Sequence, residues 1–370
     1  MVRVAKKRKV AVAISGGVDS SVVAALLKKQ GYQVIGIFMH FWNEKSGMEN
    51  KYHESGNKCC SLSAEEKARQ VARILKIPFY VFHFEEEFKK HVVDYFIKEY
   101  DQGFTPNPCI ACNKNIKFDF LFNRIKALGY DYLATGHYIK NRKIGGSYGL
   151  YKAKDLQKDQ SYFLYNIAKE QLKHLKFPLG GYLKSEVRSL AANFKLPTAQ
   201  RQDSQGICFI LEKDISEFLK RYLKKYKKGK VVNTRGEIIG EHQGLQFYTI
   251  GQRRGIKIAS AKPYYVVDLD YKKNILVVTD NEKDSMIYIK KLNFSETNWL
   301  KELKYFSYEV SAAIRYRHKP AKALISKISN GNYQLEFDVP QRAVMPGQSV
   351  VFYKKNRLIG GGVIKKNIKK

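Results

Sequence analysis

The chain has 370 residues, 44% of them hydrophobic, which is enough for two or three domains with cores of their own. Its 67 Lys and Arg against 34 Asp and Glu give a net charge of +33, an excess that points to a polyanionic partner, nucleic acid foremost. No run reaches the roughly 18 apolar residues of a membrane span, and the N-terminus lacks the apolar core and cleavage site of a secretory signal.

Solvated lysines such as Lys224, Lys225, Lys227 and Lys228 add to the charge without requiring a partner. The five cysteines, Cys59, Cys60, Cys109, Cys112 and Cys208, are an odd number in a large chain. They suggest a reducing compartment, and so a cytoplasmic location, with cysteine used for chemistry and not for a disulfide framework.

After the solvated lead-in Lys6, Lys7, Arg8 and Lys9, the run Val10-Ala11-Val12-Ala13-Ile14 reads as a strand. Ser15-Gly16-Gly17-Val18-Asp19-Ser20-Ser21 follows as a tight turn, and an apolar stretch to Leu27 continues as a helix closed by Lys28, Lys29 and Gly31. Such a turn aims backbone N–H groups and a helix N-terminus into one small volume, which attracts phosphate. It is neither a Walker A loop nor a Gly-x-Gly-x-x-Gly dinucleotide turn. A second strand is expected over 32–39 and a polar loop over 42–58. Ser63 to Glu66 has capping-box spacing ahead of a helix that Pro78 stops. A third strand is expected over 79–84, helical stripes over 88–97 and 118–128, and a short strand at Tyr132-Leu133-Ala134 before Thr135-Gly136-His137. Strands alternating with helices predict a parallel sheet with ligands at the carboxyl ends of its strands. The Ser15–Ser21 turn, Met39 and Gly136-His137 all fall at such ends.

From about residue 201 the periodicity changes. One basic helix is expected over 214–226, then short strands separated by turn signals at Thr234-Arg235-Gly236, Tyr271 to Asn274, Asn330-Gly331 and Lys355-Asn356. The spacing suggests a small β-barrel at the C-terminus. The expected fold is α/β: an N-terminal parallel-sheet domain over 1–205, a small central mixed domain over 206–280 and a C-terminal β-barrel over 281–370.

Thr105-Pro106-Asn107-Pro108-Cys109-Ile110-Ala111-Cys112-Asn113 is the second informative stretch. Its prolines force an extended approach. With the next helix opening at about Asn115, Cys112 is expected near a helix N-terminus, where the dipole and Lys114 favour the thiolate. Cys208, in Asp203-Ser204-Gln205-Gly206-Ile207-Cys208-Phe209, is the other candidate nucleophile.

Ser-Gly-Gly-x-Asp-Ser after a first strand resembles the pyrophosphate loop of the PP-loop ATP pyrophosphatases. The likeness narrows along the chain. The segments Phe38-Met39, Thr105 to Asn113, Ala134 to Tyr138 and Lys158-Asp159-Gln160-Ser161-Tyr162-Phe163-Leu164 resemble the tRNA-specific 2-thiouridylase family (MnmA type). So do Gly206 to Ile210, Tyr248 to Gly255, Arg315-Tyr316-Arg317 and Pro346-Gly347-Gln348-Ser349. The resemblance implies a PP-loop fold binding ATP at Ala13, Ile14, Ser15, Gly16, Gly17, Val18, Asp19, Ser20, Met39 and Gly136, with Mg²⁺ assisting loss of pyrophosphate. It implies Cys112 as nucleophile and Cys208 as carrier of a persulfide from a sulfur-relay protein or cysteine desulfurase, the two ending as a disulfide. Asn107, Pro108 and Cys109 would face the target base; His137, Lys158, Asp159, Gln160, Arg315, Tyr316 and Gln348 would contact tRNA. The implied reaction is ATP-dependent 2-thiolation of the wobble uridine.

One position departs from the family pattern. Many relatives carry Asp where this chain has Cys109, so a proposed general base is missing. Cys109 and Cys112 then form a Cys-x-x-Cys, which could be a redox pair or, with Cys208, ligate a [4Fe-4S] cluster. A zinc site using Cys59 and Cys60 is disfavoured, because adjacent cysteines chelate one metal poorly. Two other readings stand beside thiolation: a PP-loop ligase acting on a small metabolite, and an RNA-binding protein with a decayed nucleotide fold.

Overall fold

The computed structural model describes residues 7–44, 61–203, 206–210, 215–302 and 307–366. Cys59, Cys60, most of the loop expected over 42–58, and residues 204 and 205 of the Cys208 motif lie outside the described residues. The chain divides into two compact units. One comprises 1–93, 108–211 and 356–358, the other 94–107, 212–355 and 359–370.

The first unit is built on β1 (Lys9–Ala13), β2 (Gln33–His40), β3 (Phe79–His83), β4 (Tyr132–Ala134), β5 (Ile139–Ile144), β6 (Ser147–Lys152) and β7 (Leu175–Lys176). Five of these form a parallel sheet in the order β3-β2-β1-β4-β7. β1 is central and buried along nearly its whole length, which is why it reads as an unbroken apolar run rather than an alternation. The helix α1 (Val18–Lys29) buries nine of its residues, and its alanines let it lie close to the sheet. Val10, Val12, Val22, Leu27, Phe38 and Val71 share one core. The antiparallel pair β5–β6, turned by Gly145 and Gly146 at φ 57° and 79°, was not among the expected elements.

Three local expectations are corrected. The helix α2 (Leu62–Ile74) is capped by Ser61, whose Oγ accepts from the Ala64 N–H at 3.2 Å; Ser63 already lies inside the helix. The helix after the proline-rich loop begins at Pro108, not near Asn115, because proline suits the first helical position, where its missing N–H costs nothing. Cys109 therefore occupies the first turn, and Cys112 lies one turn further in, opening a stretch of wider π-helical turns over Cys112–Leu121. The basic helix of the second unit covers Ile215–Tyr222 and ends short of 226. Beyond it, Lys224, Lys225, Lys227 and Lys228 would set like charges three and four residues apart on one helix.

In the second unit, the helix Asp94–Asp101 meets the helix Ile215–Tyr222 through Phe96 and Phe218, with ring centroids 6.2 Å apart. A mixed sheet follows, made of β8 (Gly229–Asn233), β9 (Ile238–His242), β10 (Tyr265–Asp270) and β11 (Ile275–Thr279) in the order β10-β11-β8-β9. The remaining strands are β12 (Tyr288–Trp299), β13 (Ser307–Ala313), β14 (Ala321–Ser329), β15 (Asn332–Arg342), β16 (Ser349–Lys354) and β17 (Arg357–Ile364). They run β12-β15-β14-β13-β16-β17, and β17 pairs back on β12. That closure leaves the barrel no open edge. Phe294, Phe337 and Phe352 fill its interior. The turn signals fall where expected, with Gly236, Asn274, Gly331 and Lys355 all in the left-handed region. The α/β architecture of parallel sheet, small mixed sheet and C-terminal barrel is as expected. Among the described residues no helix is long and apolar enough to cross a membrane.

Candidate active site

The turn after β1 folds back on itself through short polar contacts. The Ser15 N–H donates to Ser20 Oγ at 3.1 Å, and Ser21 Oγ donates to the Gly17 carbonyl at 2.8 Å. Gly17 caps α1 without a side-chain hydrogen bond. Gly16 holds φ +69°, and a Cβ on it would stand 2.2 Å from the Ala64 carbonyl oxygen. Gly136 approaches from β4, where a Cβ would stand 3.1 Å from both the Ser20 nitrogen and Asp19 Cβ. Ala13 and Ile14 are buried beneath the loop, and Ile14 is fixed by its N–H to the Ile37 carbonyl at 2.8 Å. Met39 is half-buried near the end of β2. The expected nucleotide residues thus gather at the carboxyl ends of β1, β2 and β4. A cradle of small residues at the N-terminus of a twelve-residue helix suits phosphate.

Sequence reasoning missed the groups that surround Asp19. Lys184 Nζ reaches both Asp19 carboxylate oxygens, at 2.7 and 2.8 Å, and Tyr138 Oη donates to the same carboxylate at 2.8 Å. Lys184 also pairs with Asp203 at 2.8 Å, which in turn takes Lys158 at 2.7 Å and Arg188 at 3.3 Å. Arg201 donates to the Gly16 carbonyl at 2.6 Å. Burial and the neighbouring Asp19 charge push the Tyr138 hydroxyl far up, so it stays protonated as a donor. Partial burial alone would raise Asp203, but hydrogen bonds from Lys158 and Lys184 outweigh it and bring it down to about 2. A carboxylate lowered in the native state contributes stability above its unfolded pKa and loses it as pH falls through the folded value. Replacing Asp203 with Asn is therefore expected to cost on the order of 2 kcal/mol at neutral pH, with the gap to wild type closing between about pH 4 and 2. Denaturant unfolding of both proteins across that range measures it.

Cys112 is buried, Cys208 half-buried and Cys109 exposed. Among the described residues, no three His, Cys, Asp or Glu side chains stand together as a metal-ligand set. Nearby, Asn113 is buried and donates to the Phe163 carbonyl at 3.3 Å, while Lys117 donates to its Oδ1 at 3.0 Å. His137 shares a 2.7 Å hydrogen bond with Thr135 and packs near Phe118 and Phe177. Burial, reinforced by the Lys117 charge, lowers its pKa and holds the ring neutral.

The other residues expected at tRNA vary in what they are doing. Asp159 accepts from the Ala153 N–H at 2.8 Å and from Ser161 Oγ at 2.5 Å, and Gln160 Oε1 accepts from the Tyr138 N–H at 3.0 Å. Lys158 is held by Asp203. In the second unit, Arg315 donates to the Arg342 carbonyl at 3.0 Å, and Tyr316 lies 5.4 Å below the Arg317 guanidinium. Gln348 bonds the backbone at Thr105 and Pro106.

A parallel sheet with this phosphate turn at its first strand defines a nucleotide-binding domain of the PP-loop class. Family models match along the chain: "tRNA methyl transferase HUP domain" over 8–212, "tRNA methyl transferase PRC-barrel domain" over 216–280 and "Aminomethyltransferase beta-barrel domain" over 289–364. The tRNA-specific 2-thiouridylase MnmA of Carboxydothermus hydrogenoformans is 45% identical over 98% of this chain and 99% of its own length. That of Clostridium perfringens is 44% identical over 97% and 98%, and MnmA 1 of Clostridium botulinum 46% over 97% and 100%. The chain belongs to the tRNA-specific 2-thiouridylase family. Among solved structures, NMN synthetase of Francisella tularensis is matched at TM-score 0.34 and 15% identity, over 54% of this chain and 66% of its own.

Proposed function

We propose that this protein uses ATP to replace the C2 oxygen of a tRNA wobble uridine with sulfur. The observation that carries this reading is a likeness of about 45% identity running end to end with 2-thiouridylases. The intact phosphate turn, the presence of Cys112 and Cys208, and the +33 charge agree with it. The division into a catalytic domain over 1–205, a central tRNA-binding domain over 206–280 and a barrel over 281–370 belongs to the same proposal.

A uridine C2 carbonyl is a poor electrophile until its oxygen becomes a leaving group. The oxygen attacks the α-phosphorus of ATP, pyrophosphate departs, and C2 then carries an adenylate. The residues around Ser15–Ser20, with Met39 and Gly136, hold the nucleotide. Asp19 would hold Mg²⁺, which would supply positive charge for the departing pyrophosphate. Lys184 and Tyr138 compensate the Asp19 carboxylate, and Lys184 is placed to turn to phosphate.

Sulfur follows by covalent catalysis. Cys208 receives a terminal sulfur from a persulfide donor protein. That sulfur attacks C2 and AMP leaves. The Cys112 thiolate then attacks Cys208 Sγ, breaking the S–S bond, so that the uridine keeps the sulfur and the two cysteines end as a disulfide. A thiol reductant resets the pair. The target nucleotide is flipped out of the anticodon stack to reach this chemistry, with Asn107, Pro108 and Cys109 facing the base. His137, Lys158, Arg315, Tyr316 and their neighbours serve tRNA.

The test is stoichiometry. With unmodified tRNA and Mg²⁺, release of AMP and pyrophosphate should depend on tRNA and match the uridine converted. Release driven by a small metabolite instead of tRNA would overturn the reading.

A further inference from the structure

Gln348, half-buried in the turn before β16, bonds a segment distant in the sequence. Within the second unit, Gln348 Nε2 donates to the Thr105 carbonyl at 2.9 Å and to the Pro106 carbonyl at 3.2 Å. The turn that carries Gln348 meets the same segment twice more. The Thr105 N–H donates to the Pro346 carbonyl at 2.8 Å. Gly347, at φ +87°, comes so close that a Cβ on it would stand 2.8 Å from Phe104 Cβ and from the Thr105 nitrogen. Lys366 Nζ adds a bond to the Gln102 carbonyl at 2.9 Å and lies 4.7 Å over the Phe104 ring.

The chemistry of the segment explains why an amide is needed. Pro106 and Pro108 carry no N–H, so this stretch can be held mainly through its carbonyls. A primary amide offers two donors from one nitrogen, which matches two successive carbonyls. The residue after Pro106 is Asn107, the first of the three assigned to the target base.

We propose that Gln348 is a positioning residue for sulfur transfer: its amide fixes the Thr105 and Pro106 carbonyls and thereby sets where Asn107 stands. This rests on the thiolation reading above. It gives Gln348 an internal role beside the tRNA contact that family resemblance implies.

Gln348→Met keeps shape and removes both donors; Gln348→Glu places an acceptor against two acceptors. Hydrogen exchange over 102–107 in the tRNA-free protein reads the anchor without reference to activity. Exchange at the Thr105 N–H should quicken about tenfold or more in Gln348→Met and further in Gln348→Glu. In thiolation assays, kcat should fall about tenfold to a hundredfold, as a misplaced loop near the chemistry predicts, while directly measured tRNA Kd stays within about threefold. Unchanged exchange, or faster exchange with kcat intact, would overturn the proposal, as would a raised Kd with kcat preserved at saturating tRNA. If the thiolation reading itself were wrong, the wild-type protein would form no thiouridine while the exchange difference remained.

Discussion

Cys208→Ser is expected to cut persulfide-driven thiolation by about a thousandfold or more, close to 4 kcal/mol in the barrier, while tRNA-dependent pyrophosphate release persists. The two halves of the proposed reaction use different groups. Adenylation needs the Ser15–Ser20 turn, Asp19 and Mg²⁺; sulfur delivery needs two thiols. A serine hydroxyl cannot carry a persulfide, and it is a far poorer nucleophile than a thiolate. Cys112→Ser should lose multiple turnover to a similar extent but differ in what accumulates. Cys208 can still be loaded with sulfur and attack C2, so a tRNA–enzyme adduct through Cys208 should build up and be released by added dithiol. Intact-mass analysis of the protein after reaction distinguishes the two variants. Thiolation by Cys208→Ser at near wild-type rate from a persulfide donor would remove Cys208 from the carrier role.

Gly16→Ala is expected to cost more than about 3 kcal/mol of stability and to abolish ATP binding, whereas Gly17→Ala next to it should cost less than about 1 kcal/mol. The contrast follows from the two backbones. Gly16 sits at φ +69°, and its added methyl would meet the Ala64 backbone carbonyl at 2.2 Å. Ala64 lies in the first turn of α2, whose backbone is itself fixed by the Ser61 cap, so the obstacle is not a side chain that can swing aside. Either the phosphate turn or the start of α2 must move. Gly17 has φ −90°, and the nearest atom to its added Cβ is Ser15 Oγ at 3.5 Å, an ordinary contact. Thermal unfolding with and without ATP, run on both variants, tests the pair of expectations. Equal losses at the two positions would contradict the left-handed strain assigned to Gly16.

Local signals were legible in the sequence. The strand, turn and helix around Ser15–Ser20 showed the phosphate cradle because each carries its own pattern. The four turn signals of the β regions worked because left-handed backbone is a property of one or two residues, as at Gly331 and Asn274. What the sequence hid depends on distance along the chain. Lys184 meets Asp19 across 165 residues, and Arg201 meets Gly16 across 185. The start Leu183-Lys184-Ser185-Glu186 announces only a helix, with Glu186 accepting from the Leu183 N–H at 2.6 Å. Likewise, 94–107 belongs to the second unit, where Phe96 meets Phe218 and Thr105 meets Gln348 across 243 residues. The helix start at Pro108 was a local signal read too late: proline after an extended approach suits a first helical position, and this moves Cys109, not Cys112, into the first turn.

The central claim is that this chain puts sulfur on a tRNA wobble uridine. The most direct measurement supplies unmodified tRNA, ATP, Mg²⁺ and a persulfide donor labelled with heavy sulfur, followed by mass spectrometry of the nucleosides. The account predicts labelled 2-thiouridine at the wobble position, dependent on ATP and absent with Cys208→Ser. Wobble uridine left unthiolated by a protein that binds tRNA and ATP would contradict it.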